Sequence, residues 1–138
     1  MLGYGPYAVV GFATLDEAMT AAARAIASTN RPVGLLVWRG RHAWVMIGFQ
    51  ASADPRNTQN FKVTHAMVLD PLYPGGSPTW GRSPAPNTRL TSATLGQAFV
   101  KRRMSTTNVV TSSALNGKWV LVLPMMPVES AFAMLRAA

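Results

Sequence analysis

Apolar positions change their period several times along the chain, and each change marks an element. Leu15, Met19, Ala22 or Ala23, and Ile26 recur at the spacing of one helix face. Thr14-Leu-Asp-Glu17 has the form of a capping box, Asp16 is further favoured by the helix dipole, and Asn30, Arg31 and Pro32 supply a stop. The pattern predicts an amphipathic helix over residues 15–28. The period then shortens. PVGLLVW (32–38) and HAWVMIGF (42–49) are β-rich apolar runs around a short Arg-Gly-Arg turn, which is a hairpin signature. After the turn formers of residues 51–60, FKVTHAMVLD (61–70) reads as a third strand ended by Pro71. Three consecutive antiparallel strands are the simplest arrangement.

Beyond Asp70 the periodicity fades. Residues 71–90 are dense in Pro, Gly and Ser and predict a long irregular surface loop, anchored by Tyr73 and Trp80 and long enough to serve in binding. Residues 93–104 suit a short helix ending in a basic cluster, KWVLVLP (118–124) a strand with a proline stop, and 128–136 a last helical turn or two. Tyr4, Tyr7 and the Gly-Pro between them read as an irregular lead-in to the first helix. The expectation is a single α+β domain over residues 1–138, with one N-terminal helix packed on an antiparallel sheet of about four to six strands.

Composition narrows the classes. The apolar share of 49% against 13% charged residues fits a folded core and excludes a disordered polyelectrolyte. Thirteen Lys and Arg against five Asp and Glu give a formal charge of +8, which favours acidic partners. The basic residues are scattered, however, and the densest cluster is Lys101, Arg102 and Arg103. The absence of cysteine removes disulfides, thiolate metal sites and any thiol nucleophile from this chain. No apolar run is long enough for a spanning helix, and the N-terminus lacks the basic and apolar regions of a secretory signal, so no membrane span is expected and the compartment stays open.

His42 stands at the mouth of an apolar strand, and Asp70 stands at the end of the next. If the two strands pair with His42 facing Asp70, Trp44 faces Val68, Met46 faces Ala66, Gly48 faces Thr64 and Gln50 faces Lys62, and the connecting loop centres on Arg56, where turn formers concentrate. Opposed side chains share a face with Cβ atoms about 5 Å apart, near enough for a carboxylate to accept an imidazole N–H and fix its tautomer. Strict alternation places His65 on the other face. Such a pair is either catalytic or a structural cap.

The words RPVGLLVWRGRHAWVMIGF, a turn region, and FKVTHAMVLDPLYP resemble the second half of a papain-like cysteine peptidase domain of the bacteriocin-processing-peptidase-like branch. The resemblance covers about residues 14–80 and extends to the strand at 118–124. It implies that His42 is the general base and acid and Asp70 its orienting carboxylate, with Trp44 and Trp80 as walls of a peptide cleft and no cofactor. The departure is plain: the family's Gln and its cysteine at a helix start have no counterpart here. Without a thiolate, covalent acyl transfer has no attacking atom. The expected function is therefore a truncated or pseudo-peptidase, silent alone, that binds a peptide or protein partner: a cysteine-bearing N-terminal half, or a second copy of the chain. A half-domain would leave an apolar or Met-rich face for that association.

Two other readings compete. In VWRGRHAW, Trp38, Arg39, Arg41 and Trp44 interleave base-stacking and phosphate-binding chemistry, as a basic nucleic-acid-binding hairpin would, although two tryptophans in a hairpin are more commonly buried. Metal binding through His42, His65 and Asp70 is disfavoured, because the two histidines are expected on opposite faces and no convergent ligand spacing exists. Gly75-Gly76 lacks the strand–helix setting of a phosphate loop and is a turn signal.

Overall fold

The computed structural model describes residues 6–103 and 114–125. The first helix, α1 (Leu15–Thr29), forms as its pattern predicts. The Thr14 hydroxyl accepts from the Glu17 N–H at 3.1 Å, and Asn30, in the left-handed region at φ 55°, closes the helix by donating its N–H to Ile26. Ala18, Met19, Ala22, Ala23 and Ala25 form the buried face. The four alanines among them let the helix lie close on the sheet.

Six strands make that sheet among the described residues: β1 (Tyr7–Phe12), β2 (Val33–Val37), β3 (His42–Ala51), β4 (Val63–Leu69), β7 (Arg89–Thr91) and β8 (Trp119–Pro124), in the order β1-β8-β2-β3-β4-β7, with every neighbouring pair antiparallel. This is the expected α+β class, with a helix packed on an antiparallel sheet. The β2-β3-β4 meander also follows the hydrophobic pattern. Val33, Leu35 and Val37 of β2, Trp44 and Met46 of β3, Ala66 and Val68 of β4 and Leu121 of β8 point into one core with α1. A second helix, α2 (Ser92–Ala98), capped by Thr91, adds Leu95 and Ala98 to that core, which Phe99 extends. On the opposite face Val9, Val45, Ile47 and Leu69 remain exposed. Met19 and Met46 are core residues, whereas Met125 is exposed.

Four expectations need correction. The lead-in around Tyr7 is a strand: β1 pairs along its whole length with β8, from Tyr7↔Pro124 to Phe12↔Trp119, a partner more than a hundred positions away that local pattern does not reveal. The helix expected over 93–104 ends at Ala98, so Lys101–Arg103 follow it as irregular chain. The loop over 71–90 contains a two-stranded turn, β5 (Gly76–Ser77) with β6 (Gly81–Arg82), and runs into β7. The β3–β4 register also differs from the expected one. Val45 faces Leu69 and Met46 faces Val68; past an irregularity at Ile47, Gly48 faces Met67, Phe49 faces Ala66 and Gln50 faces His65. A bulge inserts one residue and changes which parity faces the core. Hence Phe49, not Gly48, packs against the core beyond it. The residues of 128–136, expected to be helical, lie outside the described residues.

Among the described residues, no helix is long and apolar enough to cross a membrane.

Candidate active site

The hairpin turn delivers His42. β2 ends at Val37, which pairs with His42, and between them Trp38, Arg39 and Gly40 run through a tight 3-10 turn with φ of 57°, 60° and 88°. Glycine takes that conformation freely; tryptophan and arginine do so at a cost of order 1 kcal/mol or more each. What the strain accompanies is a stack: the Trp38 ring lies 4.1 Å from the His42 imidazole at an interplanar angle of 19°. Trp38 is itself buried, so one face of the imidazole rests on a fixed wall.

Asp70 sits just past the end of β4. Continuing the Met46↔Val68 register outward brings it level with Trp44, two residues from the expected partner but on the same face of the sheet. The carboxylate is therefore flanked by both residues and accepts from both. His42 Nε2 lies 2.7 Å from Oδ1, and Trp44 Nε1–H donates to Oδ2 at 2.7 Å. The Leu72 N–H adds a third bond to Oδ1 at 2.9 Å, while the Asp70 carbonyl accepts from the Tyr73 N–H at 3.1 Å, so the chain turns tightly around the acid. The Ser83 N–H donates to the Gly75 carbonyl at 2.9 Å, which folds the β5–β6 turn back and brings a buried serine to the same place. Ser83 Oγ makes no hydrogen bond of strict geometry, but its hydroxyl lies beside the carboxylate and favours its charged form.

Electrostatics follow from this enclosure. Burial on its own would raise the Asp70 pKa. The donors, Ser83 first, then the Leu72 N–H, His42 and Trp44, outweigh it and hold the carboxyl below its ordinary value of 3.8. The Asp70 side chain is 0% exposed and that of His42 is 16% exposed. An ionised Asp70 takes the Nε2–H of His42, leaving Nδ1 with its lone pair. The ring is thus oriented, supported on one face and still reachable from solvent.

The sequence-predicted residues separate clearly. His42 and Asp70 come together. Trp44 does not line a cleft: it is 5% exposed, and its indole is spent on orienting Asp70. Trp80 is half-buried, packs against the core, and carries the Arg39 guanidinium 5.9 Å above its ring. Trp38 and Trp44 are both buried and present no face for a base to stack on. His65 faces away from Asp70, with Nδ1 3.0 Å from the Thr64 hydroxyl. Among the described residues no three His, Asp or Glu side chains gather as metal ligands would. Trp38, Leu72 and Ser83 were not anticipated as neighbours of the pair. Of these, Trp38 alone carried a signal in the sequence, its place at the hairpin turn.

Comparison with models of protein families, with curated proteins and with solved structures found no match for this chain.

Proposed function

We propose that this chain is the base-and-orienter half of a papain-like peptidase module, catalytically silent alone and completed by a thiol from another segment or chain. One observation carries the reading: a solvent-reachable imidazole bonded through Nε2, at 2.7 Å, to a fully buried carboxylate at one end of the sheet. A structural cap would need neither the second and third donors to Asp70 nor the strained turn that stacks Trp38 on the ring.

In this reading a cysteine presented to Nδ1 gives up its S–H proton to the imidazole, and the thiolate attacks the peptide carbonyl. Asp70 stabilises the imidazolium without taking its proton, and the imidazolium then protonates the leaving amine. This chain contains no cysteine, so it supplies the proton transfers and a partner supplies the nucleophile. The partner is accordingly a peptide or protein.

The test is thiol activation. The chain is mixed with one carrying the family's Gln and helix-start Cys, and alkylation of that thiol by iodoacetamide is followed at neutral pH. Wild-type chain is expected to accelerate alkylation and permit peptide hydrolysis, while His42→Ala does neither. Equal rates with wild type and His42→Ala would end the proposal.

A further inference from the structure

A groove of about 530 Å³ lies beside the turn that carries Trp38, lined by Arg39, Trp80, Lys101, Arg102, Arg103 and Asn116 among others. Four of these are cations, and none of the groove's lining residues is acidic. Its walls are held by the backbone. The Arg103 N–H donates to the Arg39 carbonyl at 3.1 Å, the Arg102 N–H to the Lys118 carbonyl at 2.7 Å, and the Gly117 N–H to the Arg102 carbonyl at 2.8 Å. The close approach uses Gly40: a Cβ there would meet Arg102 Cγ at 3.0 Å. The fold therefore gathers like charges around one concavity at a cost in mutual repulsion, which an anionic occupant would relieve.

We infer that this groove binds an acidic segment of polypeptide and lays it alongside His42. Arg39 links the two places. It lines the groove, and its neighbour Trp38 is the ring stacked on the imidazole. A polypeptide is favoured over nucleic acid because the groove's described lining offers no open stacking face: its one aromatic residue, Trp80, packs against the core and carries Arg39 over its ring. The inference deepens the peptidase reading by naming its substrate class and rests on that reading for the ligand being a peptide. The binding measurement does not depend on any chemistry at His42.

The experiment uses a fluorescein-labelled Glu-Gly repeat peptide, the same repeat with Gln for Glu, and oligo-dT. Anisotropy is followed together with the Trp80 indole N–H resonance. The Glu peptide is expected to bind more tightly than the Gln peptide and to shift that resonance. Lys101→Glu/Arg103→Glu, at two exposed positions and with the Arg103 N–H free to keep its bond to the Arg39 carbonyl, is expected to weaken it roughly tenfold or more. Equal binding of the Glu and Gln peptides overturns the inference. So does a preference that survives the double charge reversal, because the groove is then not the site. Oligo-dT that displaces the peptide at matched charge and moves the Trp80 signal further would assign the groove to nucleic acid instead. Failure in any of these ways leaves thiol activation by His42 standing, and failure of thiol activation leaves the groove measurement intact.

Discussion

Two carboxylates flank the β3–β4 pair, one at each end, and each meets a basic side chain. Asp54, in the connecting loop, is bound three times by one residue: the Arg56 N–H at 2.9 Å, Nε at 3.2 Å and Nη2 at 3.0 Å. Asp70 is bound by groups from β3 and from the turn after β4, with the Ser83 hydroxyl beside it. Both pKa values are lowered, but by different balances. For Asp54 the Arg56 side-chain bond dominates, whereas for Asp70 donors overcome an opposing burial. The Arg56 and Asp54 side chains are 69% and 36% exposed, so water can replace each for the other. At Asp70 water cannot, and every donor there depends on that one side chain. Ion pairs of 3.0 Å and 2.7 Å thus describe a decoration at one end and a keystone at the other.

Removing Asp70 should therefore have the largest effect. Asp70→Ala leaves the buried Trp44 indole N–H and the Leu72 N–H without their acceptor and is expected to cost about 3 kcal/mol, read from the urea midpoint. Asp70→Asn keeps the shape and should cost less, but it loses the charge that selects the His42 tautomer. Long-range proton–nitrogen NMR correlations are expected to show Nε2 protonated and Nδ1 unprotonated in the wild type, and a mixture in Asp70→Asn. A single unchanged tautomer in that variant would show that Asp70 does not orient the ring.

The strained turn next to His42 gives a sharper test. Trp38→Ala removes a buried ring while keeping the left-handed backbone under a Cβ, and is expected to cost about 3 kcal/mol. Trp38→Gly removes the same ring but relieves the strain at φ 57°, so it should be more stable than the alanine variant by about 1 kcal/mol. Glycine normally ranks below alanine, and a reversal of that order in chemical denaturation is the signature of strain.

Much of this arrangement is legible in the sequence. The α1 face, the three-strand meander and the placement of His42 and Asp70 on one face of a sheet end all follow from local periodicity. Two-residue register errors preserve the face, which is why the pair survived an incorrect alignment. What could not be read depends on distant partners or on backbone irregularity. β1 is defined by β8, across most of the chain. The bulge at Ile47 is hidden because Ile47 is itself apolar, so the run HAWVMIGF does not break where the parity changes. The bond that Trp44 makes is hidden for a similar reason. A tryptophan two residues from a histidine looks like a cleft wall, and only the true register puts its N–H onto the acid.

Trp44→Phe removes that bond together with part of the buried indole. Losing the Nε1–H donor to Asp70 Oδ2 should cost about 1.5 kcal/mol, as expected for a hydrogen bond to a charged group, and the smaller ring about 1 kcal/mol more. It should also move the Asp70 pKa upward toward the ordinary value, since one of the donors holding it down disappears.

A smaller effect is expected from acid. Because the folded-state pKa of Asp70 lies below its ordinary value of 3.8, its contribution to stability is present above that value and is lost as the pH falls through the folded-state pKa. The wild-type urea midpoint should drop in that range more steeply than that of Asp70→Asn. Parallel curves would mean that the carboxylate is no better stabilised folded than unfolded.

The smallest change should come from Asp54→Ala. Its three bonds to Arg56 span two residues of an exposed loop, so they order little chain and compete with water at every atom. The urea midpoint at neutral pH is expected to stay within error of the wild type, although the hydrogen-bond distances rival those at Asp70. A clear loss would mean that the loop over residues 52–62 sets the β3–β4 register, and that the far end of the pair holds His42 within reach of Asp70 from a distance. An unchanged midpoint locates that control in the site's own donors and in the bulge at Ile47.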